Sequence, residues 1–263
     1  MAQYEKTAEI LSLSEICPGI FDLVLKAPAL AGTAAPGQFV NVYLNDSSRL
    51  LPRPLSLCGF DAAAGTLRIV FRVTGKGTGT ELLSAMQPGE KLKVLGPLGN
   101  GFPTEGLQGP VCVVGGGIGL PPVLGWLQHS GVKGTAVLGY RDSRTFLLPE
   151  FQQAADEVCV VTDDGSTGIH GTVIDGLLAL EQEGKRPGTI LACGPKPMLK
   201  ALKEYAGKRG IALWVSMEER MACGVGVCLG CVTPTPETDA HSNVNNKRVC
   251  KDGPVFRAEE VIL

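Results

Sequence analysis

The sequence predicts an antiparallel β-barrel domain, then an α/β domain built on a parallel sheet, then a small cysteine-rich module at the carboxyl end. Three observations carry that expectation. Hydrophobic residues alternate with period two up to about residue 100, apolar runs alternate with helical segments from about residue 103, and four of the nine cysteines fall between 223 and 250. A chain of 263 residues holds about two domains with their own cores. The expected boundaries are 1–102, 103–215 and 216–263.

In the first part, Leu67, Ile69, Phe71 and Val73 share one face of a strand, opposite Arg68, Val70 and Arg72. Phe39 to Leu44 and Lys91-Leu92-Lys93-Val94 repeat the pattern, and turn signals such as Pro36-Gly37, Ala64-Gly65 and Pro88-Gly89 separate the runs. Short strands at this spacing suggest an antiparallel barrel, interrupted by one helix over 80–86. In the second part, the runs 110–114, 135–140, 158–162, 189–193 and 211–215 are of buried-strand length. Helical segments near 120–130, 149–156, 171–183 and 196–209 lie between them. Strands without polar alternation, interleaved with helices, mean a parallel sheet covered on both faces, with ligands at the strands' carboxyl ends.

Composition excludes several classes. Lys plus Arg is 24 against 26 Asp plus Glu, a net charge of -2, so no electrostatic footprint for nucleic acid or an anionic membrane exists. The stretch 106–132 lacks any charged residue, but eight glycines and three prolines interrupt it, which disfavours a membrane span. The first residues, Met1 to Lys6, show no secretory signal, and nine cysteines then point to metal or redox chemistry in a cytoplasmic protein instead of disulfides. Cys112 and Cys159, set in Val-rich runs, read as small buried hydrophobes.

Four local signals bear on chemistry. Cys223-Gly-Val-Gly-Val-Cys228-Leu-Gly-Cys231, with Cys250 further on, has the C-x4-C-x2-C spacing of plant-type [2Fe–2S] ligands. Gly224, Gly226 and Gly230 let one loop wrap a cluster and leave amides free to face the sulfurs. A structural zinc site is the alternative, although zinc usually takes two separated close pairs. Next, Gly115-Gly116-Gly117-Ile118-Gly119 joins a strand to a helix opened by Pro121, either as a diphosphate turn or as an ordinary tight βα turn. Cys193-Gly194-Pro195 also closes a strand and opens a helix, so its thiol lies at a strand's carboxyl end or is simply structural. Finally, Arg53-Pro54-Leu55-Ser56 and Gly75-Lys76-Gly77-Thr78 offer a guanidinium fork and amides at a helix start, though each is also a common surface turn.

The order of these signals is more specific than any one of them. Over roughly residues 5–215 the chain resembles the ferredoxin–NADP reductase superfamily. The run Met217-Glu218-Glu219-Arg220-Met221-Ala222-Cys223 with the four-cysteine module makes the whole chain similar to the electron transfer subunits of type B dihydroorotate dehydrogenases. That resemblance implies FAD along Arg53, Pro54, Leu55 and Ser56, along Val70, Phe71 and Arg72, and at the pyrophosphate turn of Gly77 and Thr78. It implies NAD, as a substrate, at Gly115, Gly116, Gly117 and Gly119, its nicotinamide beside Cys193, Gly194 and Pro195. It implies that Cys223, Cys228, Cys231 and Cys250 ligate the cluster.

No acid–base or nucleophilic residue is then required, because the cofactors carry the chemistry. His129, His170 and His241 read as surface or packing residues. Barrel, nucleotide domain and cluster loop consume the whole length, so the organic substrate belongs to a second polypeptide. The resemblance implies an FMN-containing catalytic subunit that oxidises dihydroorotate in pyrimidine synthesis, two copies of each subunit assembling together. Electron-transfer subunits of a sulfide dehydrogenase, transhydrogenase or hydrogenase share most of these motifs. Arg141 and Arg144 with Asp142 between them lean towards NAD over NADP.

Overall fold

The computed structural model describes residues 4–46, 48–238, 240 and 243–263; His241 lies outside the described residues. Seven strands form the first sheet: β1 (Tyr4–Cys17), β2 (Ile20–Lys26), β3 (Phe39–Tyr43), β4 (Arg53–Ser56), β5 (Gly59–Asp61), β6 (Thr66–Arg72) and β7 (Lys91–Leu98). Their order is β4–β3–β7–β1–β2–β6–β5 and every pairing is antiparallel. The sheet curls until β4 lies beside β6. Alternation explains the closure. Leu67, Ile69 and Phe71 point inward, where they meet Leu23, Leu25, Val40, Val42, Leu92 and Val94 from the neighbouring strands. Two short helices, α1 (Pro28–Ala31) and α2 (Gly79–Ser84), close the barrel, with Leu30 and Leu83 fully buried.

Seven more strands form the second sheet: β8 (Val111–Gly116), β9 (Thr135–Tyr140), β10 (Glu157–Thr162), β11 (Ile169–His170), β12 (Thr189–Cys193), β13 (Ala212–Ser216) and, from the carboxyl end, β16 (Val255–Arg257). The order is β11–β10–β9–β8–β12–β13–β16, parallel except for β16 against β13. Helices α3 (Leu120–His129), α4 (Leu148–Ala154), α5 (Val173–Gln182) and α6 (Lys196–Arg209) cover it, and no helix among the described residues is long and apolar enough to cross a membrane. From β8 the chain runs outward through β9 and β10, then returns to place β12 on the other side. That reversal between β8 and β12 is where open α/β sheets bind ligands.

The carboxyl-terminal residues do not stand apart from this domain. Hairpin β14 (Val232–Pro234) and β15 (Asn246–Arg248) and the short helix α7 (Val249–Asp252) lead into β16, which pairs Val215 with Phe256. Cys231, Cys250 and Phe256 are buried in the same core as Val114 and Leu199. The strand β15 closes the polar run that ends at Arg248.

The two large domains are also locked together. Val70, on the outer face of β6, is 4% exposed because Ile20, Phe102, Leu120 and Val123 cover it. On the same face, the Arg68 guanidinium grips Asp22 on β2 at 2.7 Å and Glu150 on α4 at 2.5 Å. The hydrogen bonds it donates to Glu150, and then to Asp22, push the guanidinium's pKa further up against the opposing effect of burial.

Candidate functional site

The two turns that flank the sheet's reversal meet directly. Cys193 pairs with Gly115 on one side and with Ser216 on the other. Gly119 approaches so closely that a Cβ there would lie 2.2 Å from the Cys193 carbonyl oxygen. The glycine turn thus makes a backbone-to-backbone contact with the Cys-Gly-Pro turn, which no side chain would permit. A cavity of about 640 Å³ opens in front of both, lined by Gly116, Gly117, Tyr140, Pro195 and Met198, and by Arg72 reaching over from the barrel. A Cβ on Gly117 would come 3.3 Å from Arg72 Nη2. Its size suits an organic ligand.

Cys193 is buried, and its thiol is pushed up first by that burial and then by the Glu218 carboxylate, with Ser216 opposing. Glu218 itself is raised by its protein surroundings and lowered by Arg72. Cys193, Ser216, Glu218 and Arg72 therefore form one electrostatic group at the junction of both domains.

In the barrel, Arg53-Pro54-Leu55-Ser56 forms strand β4, each residue half-buried. Arg53 donates to the Leu51 carbonyl at 2.8 Å, yet its Nε is buried without a partner, as is Nε of Arg49. A buried, unsatisfied nitrogen costs about 1–3 kcal/mol. Two such guanidinium nitrogens suit a bound phosphate group.

Two expectations for the barrel change. The amides of Gly77 and Thr78 are not free: Gly77 N donates to Glu81 Oε2 at 2.5 Å and Thr78 N to the Gly75 carbonyl at 3.4 Å. Glu81, in the first turn of α2, folds back onto the loop while the Thr78 hydroxyl caps its amide. Phe71 is 1% exposed and stacks on Phe21 inside the barrel, because inward residues of β6 fill the core. Of the trio Val70, Phe71 and Arg72, only Arg72 sends its side chain to the cavity.

The cysteine loop begins immediately after β13, beside β4. Asn41 is paired opposite Pro54 in the β3–β4 ladder, and its Nδ2 donates to the Cys223 carbonyl at 3.0 Å. Gly224, at φ +66°, lets the loop press against Asn41, whose Nδ2 would sit 2.3 Å from any Cβ there. Amides then converge on sulfur: Val225 N and Val227 N on Cys223 Sγ, Gly230 N on Cys228 Sγ and Cys250 N on Cys231 Sγ, each at 3.4 Å. Cys223 and Cys228 lie on the partly exposed side of the loop, whereas Cys231 and Cys250 are buried. Amides aimed at the sulfurs of Cys223, Cys228 and Cys231 are the kind of surroundings that would suit thiolate ligands of an iron–sulfur cluster.

Comparison with known proteins accounts for these parts. Residues 218–262 match the iron-sulfur cluster binding domain of dihydroorotate dehydrogenase B, and residues 10–102 an oxidoreductase FAD-binding domain. The dihydroorotate dehydrogenase B (NAD(+)) electron transfer subunit of Geobacillus thermodenitrificans is 42% identical over 97% of both chains. That of Enterococcus faecalis is 36% identical over 100% of both. The chain belongs to this family of electron transfer subunits. As such it is an oxidoreductase subunit that binds FAD and an iron–sulfur cluster. Among solved structures, an NADH-dependent reduced ferredoxin–NADP oxidoreductase described for electron bifurcation superposes with a TM-score of 0.84 at 33% identity, covering 97% of this chain and 89% of that one. A ferredoxin NADP+ reductase from Neisseria gonorrhoeae, at 18% identity and a TM-score of 0.67 over 83% and 95% of the two chains, shares the fold.

In this electron transfer subunit two site residues escaped the sequence reading. Asn41 was legible only as one polar residue inside Phe39-Val40-Asn41-Val42, and Glu218 only as part of the Met217–Cys223 run that carries the resemblance, with no role of its own. His129 stacks on Phe60 at 4.2 Å and His170 is exposed, consistent with packing and surface roles.

The cysteine environments make a chemical prediction. Burial opposes ionisation of Cys223, but the amides of Val225, Cys228 and Val227 and the Cys228 thiol outweigh it, lowering the thiol to about 6. Burial and the Cys231 thiol push Cys250 up to about 12. In cluster-free protein at pH 7, iodoacetamide should therefore label Cys223 at least about ten times faster than Cys250, since only the thiolate reacts. Labelling of Cys223 should fall as pH drops through 6, where its thiolate is lost; peptide mapping that finds equal rates would contradict the amide cradle.

Proposed function

We propose that this chain takes electrons from a catalytic partner at its carboxyl-terminal cysteine loop and delivers them to NAD+ in the cavity between its domains. The partner is an FMN-containing subunit that oxidises dihydroorotate to orotate in pyrimidine synthesis, with two copies of each subunit in a cytoplasmic assembly. Cys223, Cys228, Cys231 and Cys250 hold a [2Fe–2S] cluster, and Arg53 to Ser56 hold FAD with its phosphates at the unsatisfied guanidinium nitrogens of Arg53 and Arg49. When bound, these groups supply one-electron and two-electron redox chemistry, which is what lets single electrons from a partner leave as hydride on NAD+. We assign the functional units as 1–102, 103–215 and 216–263, the last sharing its core with the second.

One observation carries this reading: Asn41 ties the Cys223 backbone to the strand position opposite Pro54. That bond fastens the proposed cluster loop to the sheet edge proposed to hold the flavin. Cys228 is exposed at the loop's outer end, flanked by Val227 at 80% and Leu229 at 61% exposure. Apolar residues so placed suit a docking rim around the loop through which electrons enter. At the other end, Gly115 to Gly119 present backbone to a diphosphate, and Cys193 to Pro195 wall the nicotinamide.

Arg53→Ala removes the half-buried guanidinium from β4 and should release most of the FAD on dialysis, measured by flavin absorbance per polypeptide. Full retention would show that β4 does not hold the phosphates. Mixed with the catalytic subunit, the wild-type chain should reduce NAD+ at the expense of dihydroorotate; a complex that forms yet yields no NADH would sink the assignment.

A further inference from the structure

The cavity lies between two domains, so its width depends on what holds them together, an inference that rests on reading that cavity as the NAD+ site. Ile20 and Arg72 line it from the barrel, Tyr140 and Phe146 from the α/β domain. A nicotinamide held there must meet a flavin held by the barrel. Hydride transfer depends steeply on that approach, since about 1 Å of misplacement can slow an enzymatic step about 10²-fold.

One cluster of side chains ties together the elements that carry both sets. Arg68 stands on β6 four residues before Arg72, so the alternation of the strand puts them on the same face. Its Nε and Nη2 donate to Asp22 on β2 at 2.7 to 3.0 Å, two residues beyond Ile20. Its Nη1 and Nη2 donate to Glu150 on α4 at 2.5 and 2.9 Å. The bonds to Asp22 stay inside the barrel and aim the fork, while those to Glu150 cross to the other domain. A planar guanidinium held by two carboxylates leaves α4 little room to slide against β6. Glu150 is in turn fixed relative to the cavity. Its helix is entered through Leu147, a buried residue in the left-handed conformation at φ +62°. Non-glycine residues rarely take that conformation, and they keep it where the surroundings over-determine it. One residue earlier, the Phe146 carbonyl accepts from the Tyr140 hydroxyl at 2.9 Å, and the two rings meet edge to face at 5.8 Å. Residues 146–150 therefore connect the Arg68 bond to two rings that line the cavity.

We propose that Arg68, acting through Glu150, is a positioning residue for hydride transfer: it sets the gap between barrel and α/β domain, and with it the approach of nicotinamide to flavin. Neither Arg68 nor Glu150 lines the cavity itself.

The test is anaerobic reduction of the FAD by saturating NADH, followed by stopped flow in the complex assembled with the catalytic subunit. Arg68→Met keeps an unbranched side chain but removes the fork. Reduction should slow about ten- to hundredfold, and the long-wavelength charge-transfer band of nicotinamide against flavin should weaken with it. FAD content and the affinity for 5′-ADP, a probe that needs the α/β domain alone, should stay within about threefold, which certifies that the variant is folded. Glu150→Gln should slow reduction in the same direction. The double variant should be no slower than Arg68→Met, as expected when both residues act through one contact. Asp22→Asn leaves the cross-domain bonds in place and should keep the rate within about threefold. Reduction of Arg68→Met at the wild-type rate, or equal slowing by Asp22→Asn and Glu150→Gln, overturns the proposal. A wild-type complex that fails to bind 5′-ADP, or whose FAD is not reduced by NADH, removes the NAD+ assignment of the cavity and this proposal with it.

Discussion

Cys228→Ser is expected to cut electron flow from the catalytic subunit to NAD+ by about 10²-fold or more while NADH oxidation by ferricyanide keeps most of its rate, as follows when one of two separable half-reactions is removed. The two activities divide because they use different ends of the molecule. Cys228 is exposed on the loop and its sulfur accepts the Gly230 amide at 3.4 Å, whereas the nucleotide cavity lies at the carboxyl ends of β8 and β12. Serine preserves the size of the side chain but replaces a soft thiolate, the ligand iron–sulfur clusters are built on, with a hydroxyl that stays protonated near neutral pH. Stability should change little, since Cys228 is outside the core that buries Cys231 and Cys250. Iron content, the visible spectrum and both assays on one preparation decide the matter. An equal loss of both activities would mean that the loop holds the fold and does not relay electrons.

Gly119→Ala should be among the more damaging methyl groups that can be added to the nucleotide domain. The backbone at Gly119 is ordinary, φ -79° and ψ -5°, so conformational strain is not the issue. The new Cβ would lie 2.2 Å from the Cys193 carbonyl oxygen, 2.4 Å from its carbon and 2.7 Å from Gly194 N. All three are backbone atoms, two from the last residue of a central strand paired on both sides and one from the turn that follows, so the neighbour cannot step aside as a flexible side chain would. The cost should exceed the usual overpacking range, about 3 kcal/mol or more, lowering Tm by about 6–12 °C for a chain of this size. NAD+ binding should be lost with it, because the two turns that frame the cavity are the ones pushed apart. Gly207→Ala is the matched control. Nothing lies within 4 Å of a Cβ there, and the position is inside α6, so alanine should stabilise by about 0.5–1 kcal/mol. Equal melting of Gly119→Ala and wild type would refute the close approach.

Local chemistry made much of this molecule legible before any coordinates. Thr135–Tyr140 and Lys196–Arg209 coincide with the strand and helix expected there, since an unbroken apolar run and a lysine-rich amphipathic run closed by Gly210 leave little choice. The cysteine spacing was informative because three cysteines on one short loop are a local property, and residues 218–262 match an iron-sulfur cluster binding domain. Other features were hidden. Gly77 and Thr78 looked like free donors, and only the path of α2 brings Glu81 back to take the first of them. Val70 alternates outward as predicted, yet a second domain buries it. Nothing in the spacing of residues 41 and 223 suggests that they touch.

By itself the sequence determined the two sheet types and the glycine and cysteine turns at strand ends. All depend on patterns a few residues long, where side-chain period and turn geometry act directly. Only the tertiary structure decided that Gly119 packs on Cys193, that Arg68 clamps barrel to helix between Asp22 and Glu150, and that Asn41 fastens the cysteine loop beside β4. Those contacts join residues tens to nearly two hundred positions apart, and their partners are chosen by which faces and edges remain open once both sheets have formed.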